Sequence, residues 1–256
     1  MEFLRTPRRK TLMSEIAYYA LNIGLVAVLL AAAVFVQSLP LNSMLALLSK
    51  WRVLAVRPRY WLANIQSNMV DVIVGMSVAV LLYVTGGFIV LQLIIGVLYA
   101  VWLIGVKPLS KRQYMILQAG VAIGAGSLAL FSIGYTLPNF VVVLFSMVLG
   151  YSTARHALQS YHEEQLVLLS MVWAVVFGEI GWLASQWTMA YALPGQVVLK
   201  LPQATIIMLL VSAVGGRAYH IRLTRKKLLK SDIIGLVLFS IAVIVAMFLF
   251  ANSVKI

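Results

Sequence analysis

Long apolar stretches recur along this chain, and they constrain its fold more than any other feature. Ala17–Val36, Phe88–Val106 and Ile233–Ala251 are each about 20 residues long and contain no Asp, Glu, Lys or Arg. A helix of about 20 residues crosses the roughly 30 Å hydrocarbon core of a bilayer. The repeated stretches therefore predict an all-α fold, a polytopic transmembrane helical bundle.

Composition supports a single integral membrane domain over residues 1–256. Hydrophobic residues make up 62% of the chain and charged residues 11%, whereas soluble domains average about 25% charged residues. A soluble core of this size cannot bury that apolar excess, so lipid must solvate much of it. The chain has no cysteine, which excludes disulfides, thiolate catalysis, Cys-ligated zinc and iron–sulfur clusters.

Eight spans are predicted, and the prolines mark their boundaries. Six of the seven prolines lie between apolar stretches or at their starts, where a missing amide proton is tolerated. The predicted spans are about 16–37, 67–85, 87–106, 113–132, 138–156, 165–187, 200–219 and 232–252.

The basic residues predict the orientation of the bundle. The formal net charge is +13, and the Lys and Arg residues lie at the ends of apolar stretches, in the joints 50–59, 107–112 and 217–230. Such joints are typical of a cytoplasmic face that contacts anionic lipid. No basic domain with interleaved aromatic residues stands apart from the spans, so nucleic acid is not a predicted partner.

The basic N-terminal tail conflicts with simple alternation. Eight alternating spans place Arg5, Arg8, Arg9 and Lys10 outside. Either the tail is translocated, or the run 16–49 enters the membrane and returns at Pro40 with both ends cytoplasmic. The segment also imitates a secretory signal with a cleavage site after Ala33, but its apolar run is longer than a usual signal core, so an uncleaved span is predicted.

Two basic joints are candidates for binding lipid phosphate. The segment Lys50–Asn64 mixes four cations with aromatic residues, and Arg217–Lys230 carries six cations. Both patterns also fit interfacial anchors that set the topology. The cations assigned to lipid phosphates are Arg57, Arg59, Arg217, Arg222, Arg225, Lys226 and Lys227.

Glu179 is the most informative polar residue within a predicted span. An ionisable group at that depth is costly, so it raises a functional question. Gly178 and Gly181 flank it and permit close approach of another helix, and Trp182 follows one turn later on about the same face. Glu179 is either a residue that couples transport to protons or cations, or a neutral or paired acid that holds the bundle together.

Other polar residues could line a path through the bundle. Asp71 could cap the start of its helix or pair with a cation such as Arg155, and Gln92 and Gln118 could form hydrogen bonds between helices. The candidate coupling or polar-path residues are Glu179, Asp71, Gln92, Gln118, Arg155, His156 and Trp182.

The joint after residue 156 contains the groups closest to a metal-ligand set. His162, Glu163 and Glu164 follow His156, but the helical Glu-x-x-His spacing of di-iron bundles is absent. Capping of the next span by Glu163 and Glu164 explains these acids better, so neither a metal nor a cofactor is predicted.

Gly120-x-x-x-Gly124 gives the fourth span a face of small residues. This spacing permits two helices to approach closely, either within the bundle or between copies of the chain.

The segment Arg57-Pro58-Arg59-Tyr60-Trp61-Leu62-Ala63-Asn64 resembles the Arg-Pro-x-x-Trp-x-x-Asn segment of some prenyltransferases of the UbiA superfamily. Activity in that family requires aspartate-rich loops that hold magnesium on a pyrophosphate. The neighbouring joints Thr85–Gly87 and Lys107–Arg112 contain no acid. The resemblance therefore implies at most a related fold and not the activity.

The whole chain resembles multi-pass membrane proteins of small-genome bacteria. The resemblance is carried by the segments WRVLAVRPRYWLANIQSNMVDVIVG and VWAVVFGEIGWLASQWTMAYALP. It implies a bacterial plasma membrane and no particular activity.

Two functional hypotheses follow. The first is a small carrier or pore, or a subunit of a membrane complex or homo-oligomer, in which Glu179 couples transport and Gln92, Gln118 and Trp182 line the path. The second is a membrane enzyme acting on a phosphate-bearing lipid, in which Arg57, Arg59 and Arg155 bind phosphate and His156 is the base. No nucleophile, base and metal constellation supports the enzyme.

Overall fold

The computed structural model describes residues 12–186, 189–192, 199–225, 230–249 and 254–255. Within these ranges the chain forms nine α-helices and one small sheet. The helices are α1 (Leu12–Ala31), α2 (Leu39–Leu48), α3 (Trp61–Val84), α4 (Ile89–Val101), α5 (Arg112–Ile133), α6 (Asn139–Gln159), α7 (Leu166–Gln186), α8 (Gln203–Arg225) and α9 (Lys230–Leu249). The strands are β1 (Met189–Ala192), β2 (Lys200–Pro202) and β3 (Val254–Lys255).

In the described part of the chain, eight helices are long and apolar enough to cross a membrane, which confirms the prediction of eight spans. Several of them extend beyond the predicted bounds. The span predicted from residue 67 begins at Pro58, and the one predicted to end at residue 219 ends at Arg225. Hydropathy marks the part of a helix that lies in hydrocarbon, whereas the helix itself continues into the polar zone.

α1 runs antiparallel to α4. The Tyr18 hydroxyl near the start of α1 donates a hydrogen bond to the Leu103 carbonyl, 2.6 Å away, near the end of α4. Farther along, Leu30 packs on Gly96. A π-helical turn, Ala32–Val36, extends α1 to Gln37, which adopts a left-handed conformation and reverses the chain.

α2 is a short return helix that decides between the two predicted topologies. The Ser38 hydroxyl accepts from the Leu41 amide at its start, and Pro40 occupies its first turn. Its ten residues extend about 15 Å, half the hydrocarbon thickness. Just beyond it, Lys50 lies beside Lys107, which follows α4. Residues 12 and 50 are therefore at the same end of the bundle, which is the predicted arrangement with a return at Pro40.

We call this end of the bundle the basic end and define it by the joints 49–57, 107–111 and 160–165. Because α1 begins there, single cysteines replacing Thr6, Ser110 and Thr224 are expected to react from one side of the membrane. The measurement is labelling with a membrane-impermeant maleimide in sealed vesicles, which has no background because the chain has no cysteine. Labelling of Thr6→Cys from the opposite side to Ser110→Cys would contradict the return through α2.

Glycines shape the closest helix contacts in the bundle, and the close approach predicted at Gly178 and Gly181 is confirmed. A Cβ on Gly150 of α6 would lie 2.6 Å from the Trp173 carbonyl oxygen of α7. Gly178 and Gly181 on α7 are equally close to Met147 and Ser146 of α6. Within the bundle, the close contact predicted at Gly120 and Gly124 is not formed, because a Cβ on Gly120 would have no neighbour within 4 Å and one on Gly124 only an ordinary contact.

A three-stranded antiparallel sheet in the order β2-β1-β3 lies at the end opposite the basic end. The Tyr191 hydroxyl in β1 donates to the Met247 carbonyl of α9, 2.7 Å away, and accepts from the Gln203 amide. These bonds fasten the sheet to both α8 and α9. Sequence analysis treated this region as a joint without strands.

Candidate functional site

A buried ion cluster joins the return helix to α3 and α4. One carboxylate oxygen of Asp71, in α3, lies 2.7 Å from the Lys50 ammonium and 2.8 Å from that of Lys107. Asp71 is 9% exposed and Lys50 is 8% exposed. Burial lowers the pKa of Lys50, and the attraction of Asp71 opposes that shift. Of the two predicted roles of Asp71, pairing with a cation is confirmed, although the cations are Lys50 and Lys107 and not Arg155. Capping of the helix start is not its role, because Asp71 lies ten residues after Trp61, the first residue of α3.

Gln118 and His156 continue this cluster toward α5 and α6. The Gln118 side-chain amide donates to the carbonyls of Val106 and Leu109, at 2.8 and 2.9 Å. Its oxygen lies 2.8 Å from His156 Nε2. Because that oxygen only accepts, His156 donates through Nε2. Gln118 thus satisfies backbone carbonyls left open at the end of α4, and its amide is not free to bind a solute.

The remaining predicted path residues are not brought together. Gln92 is buried and donates to the Leu82 carbonyl, 3.0 Å away. The Arg155 guanidinium lies 5.9 Å from the Tyr151 ring centroid and donates to its hydroxyl. Glu179 and Trp182 lie on the exposed face of α7. A continuous polar path through these side chains is not present among the described residues.

The described cations that were assigned to lipid phosphate lie on the surface at the basic end. Arg57 and Arg59 are exposed, and Arg59 stacks on Tyr60 at 4.6 Å. Within the segment that resembles the prenyltransferases, the Asn64 amide donates to the Val53 carbonyl, 2.6 Å away. Arg217, Arg222 and Arg225 are exposed along the end of α8, with Arg225 paired to Asp232 at 2.8 Å. Lys226 and Lys227 lie outside the described residues.

An apolar cavity of about 660 Å³ lies between α5, α6, α7 and α8 in the half of the bundle next to the basic end. Its lining extends along α6 from Gly150 to Leu158, a depth of about 12 Å. Small residues open the space on α5 and α8, and Trp173 and Phe177 form its α7 wall. The small residues are Gly120, Gly124, Ala213, Gly215 and Gly216.

The cavity faces outward between α5 and α8. Gly150 and Thr153, on the α6 wall, are buried. On the front walls, Ile116 and Leu117 of α5 are 41% and 49% exposed, and Leu209 of α8 is 38% exposed. In a bilayer this opening is directed at the lipid chains.

We call the end of the cavity nearest the basic end its mouth. Polar and cationic side chains surround it. Tyr161 and Tyr219 line it, with their rings 5.2 Å apart. The Arg112 guanidinium lies 4.9 Å from the Tyr161 ring centroid, and the Tyr161 hydroxyl lies 3.3 Å from His220 Nδ1. We call Arg112, Tyr161, Tyr219 and His220 the mouth residues.

Glu163 is tied to this mouth and to the start of α7. Its carboxylate accepts from the Tyr219 hydroxyl and from the Gln165 backbone amide. These bonds lower the pKa of Glu163, so the group is ionised at neutral pH. The predicted capping of this helix start by Glu163 is confirmed. Its charge is offset by Arg222, whose attraction also lowers that pKa.

Lys50 and Lys107 were not predicted as partners of Asp71, nor Arg112 and Tyr161 as groups at the mouth. The cations at helix ends were assigned to topology and to lipid phosphates, and only the fold shows which of them turn inward. The described residues contain no group of three His, Cys, Asp or Glu side chains that could hold a metal ion.

Comparisons with protein-family models, with curated proteins and with solved structures found no match for this chain.

Proposed function

We propose that this multi-pass membrane protein binds an amphiphile with a hydrocarbon part and an anionic head in the cavity between α5 and α8, as the binding step of a small carrier. The observation that carries the proposal is the apolar cavity itself. Its volume of about 660 Å³ lies within the range of roughly 300–1,000 Å³ typical of small-molecule sites. Its lining favours hydrocarbon over a polar solute.

The direction of the opening favours a ligand that enters from the bilayer. The exposed wall residues of α5 and α8 face the lipid chains, so a hydrocarbon tail can enter without crossing water. The mouth residues then lie at the depth of lipid headgroups. A headgroup held there meets hydroxyls and the Arg112 guanidinium, which binds phosphate or carboxylate oxygens well.

The enzyme hypothesis receives less support from this geometry. His156, the predicted base, faces Gln118 and is not among the cavity residues. Arg57 and Arg59 lie on the surface joint before α3 and do not line the cavity. A catalytic group must reach the reacting atom, and neither predicted group is placed to do so at this cavity.

Filling the cavity tests the proposal directly. Gly120→Leu places a side chain into the empty space, since no atom lies within 4 Å of a Cβ at Gly120. If the new side chain displaces two methylene groups of a bound lipid from the cavity, the loss is about 1.6 kcal/mol of binding free energy, roughly tenfold in affinity. We therefore expect about tenfold weaker retention of phosphatidylglycerol, measured by native mass spectrometry after release from phosphatidylglycerol–phosphatidylcholine nanodiscs.

A matched control is Gly24→Leu on α1, where a Cβ also has no neighbour within 4 Å but the site is outside the cavity. It should retain lipid like the wild type.

Arg112→Gln should lose the preference for phosphatidylglycerol over phosphatidylcholine, whereas Arg59→Gln, which also removes a stacked arginine, should keep it. Equal lipid retention by Gly120→Leu and the wild type would contradict binding in the cavity.

A further inference from the structure

Glu179 lies where lipid would surround it. It is exposed on α7, and it has no hydrogen bond or ion pair with any described residue. It lies seven positions before Gln186, the last residue of the helix, which is a distance of about 10 Å. A glutamate side chain cannot reach the headgroups across that distance. Such residues almost always face another protein group or water.

The packing of α7 fixes this outward direction. Gly178 and Gly181 are buried, and both are packed tightly on α6, against Met147 and Ser146. A rotation of α7 that buried Glu179 in the bundle would break both contacts. The Glu179 carboxyl, which has no polar partner among the described residues, therefore lies on the outer surface of the folded chain.

Glu179 belongs to a continuous exposed stripe with alternating spacings of four and three residues. This spacing places its members along one side of a helix, as in the seam between two paired helices. All six are exposed. We call this set the α7 stripe: Leu168, Val172, Val175, Glu179, Trp182 and Gln186.

We propose that the α7 stripe is the interface with a second copy of this chain, paired about a two-fold axis along the membrane normal. Such an axis brings like positions together. The Gln186 amide has both a donor and an acceptor, so it can bond to its own counterpart in the partner copy. Glu179 then faces the same residue of the partner copy, so that its carboxyl meets another polar protein group instead of lipid. Hydrogen bonds of this kind fasten transmembrane helices together.

Disulfide trapping tests this interface, because the chain contains no cysteine of its own. Val175→Cys lies one turn from Glu179 on the α7 stripe, and in oxidised proteoliposomes it should form a covalent dimer. The matched control is Val97→Cys on the exposed face of α4, which starts from the same residue type and similar exposure, 62% against 52%. It should remain monomeric under the same oxidation.

The contribution of the Glu179 side chain to the interface is measured by substituting Glu179 in the Val175→Cys variant and comparing the fraction trapped as covalent dimer. Glu179→Gln places a self-complementary amide at this position and should preserve the trapped fraction. Glu179→Leu should lower it about threefold to fifteenfold, the range that one or two interhelical hydrogen bonds give. Single-molecule photobleaching of the wild-type protein, at low protein density in vesicles, should show two copies of the chain in each fluorescent spot.

Two results would overturn the interface, and a third would overturn the part that Glu179 plays in it. Trapping of Val175→Cys no greater than that of Val97→Cys would do so, as would single-copy spots for the wild type. Equal trapping with Glu179→Leu and Glu179→Gln would remove the role of the carboxyl. None of these outcomes depends on lipid binding in the cavity.

Discussion

Replacing Asp71 with alanine is expected to cost about 3–5 kcal/mol of unfolding free energy. The Asp71 carboxylate is the shared counter-charge of Lys50 and Lys107, and Lys50 is almost fully buried. Without Asp71, two ammonium groups face each other in a low-dielectric site, and the end of α2 loses its attachment to α3. The measurement is unfolding in mixed micelles with increasing dodecyl sulfate, followed by circular dichroism.

A matched control is Asp232→Ala, which removes an acid from an ion pair of 2.8 Å whose arginine is 64% exposed. We expect it to cost less than about 1 kcal/mol. The triple variant Asp71→Leu, Lys50→Met and Lys107→Met should recover most of the lost stability, since an apolar replacement removes the unpaired charges. Wild-type stability in Asp71→Ala would contradict a buried ion cluster.

Gly150→Val is expected to have the second large effect, a loss of about 3 kcal/mol. A Cβ at Gly150 would lie 2.6 Å from the Trp173 carbonyl oxygen and 2.7 Å from Phe177 Cβ. The first of these is backbone and cannot rotate away, so α6 and α7 must separate. The same unfolding experiment measures the loss.

Gly120→Val is the control for this substitution. It adds the same side chain to a helical glycine, but with no neighbour within 4 Å, so we expect a change within about 0.5 kcal/mol. An equal loss for both variants would show that valine disturbs the helices themselves and not the contact between α6 and α7.

The eight spans could be predicted from the sequence because the thickness of hydrocarbon sets a length that few other folds require. The prolines supported the same boundaries. The return helix could be predicted only as an alternative, since the ten residues of α2 are too few to produce a span signal. Pro40 and the basic tail were the two indications of it.

The orientation of Glu179 could not be predicted because α7 is apolar on nearly all sides. Lipid and the bundle interior are equally apolar, so hydropathy does not say which face of a transmembrane helix is buried. Gly178 and Gly181 did indicate a close helix contact. Because these glycines face α6, Glu179 must point away from α6. The sequence pattern alone did not show whether that outward side of α7 was buried by another helix or exposed to lipid.

The ion cluster and the cavity depend on contacts between distant parts of the chain. Lys50 and Lys107 are 57 positions apart and meet only because α2 returns beside α3. The glycines of α5 predicted close packing, yet at Gly120 the neighbouring helix stays away and leaves a space. A short motif reports that a close approach is possible, and the whole bundle decides whether it occurs.

The most direct test of amphiphile binding uses the unaltered chain in bilayers with a phosphatidic acid that carries a photoreactive diazirine near the end of one acyl chain. Binding in the cavity predicts adducts concentrated on the walls formed by 116–124 and 209–216, and their displacement by excess unlabelled phosphatidic acid. Adducts spread evenly over the exposed faces of α1, α4 and α9, without enrichment at those walls, would contradict it.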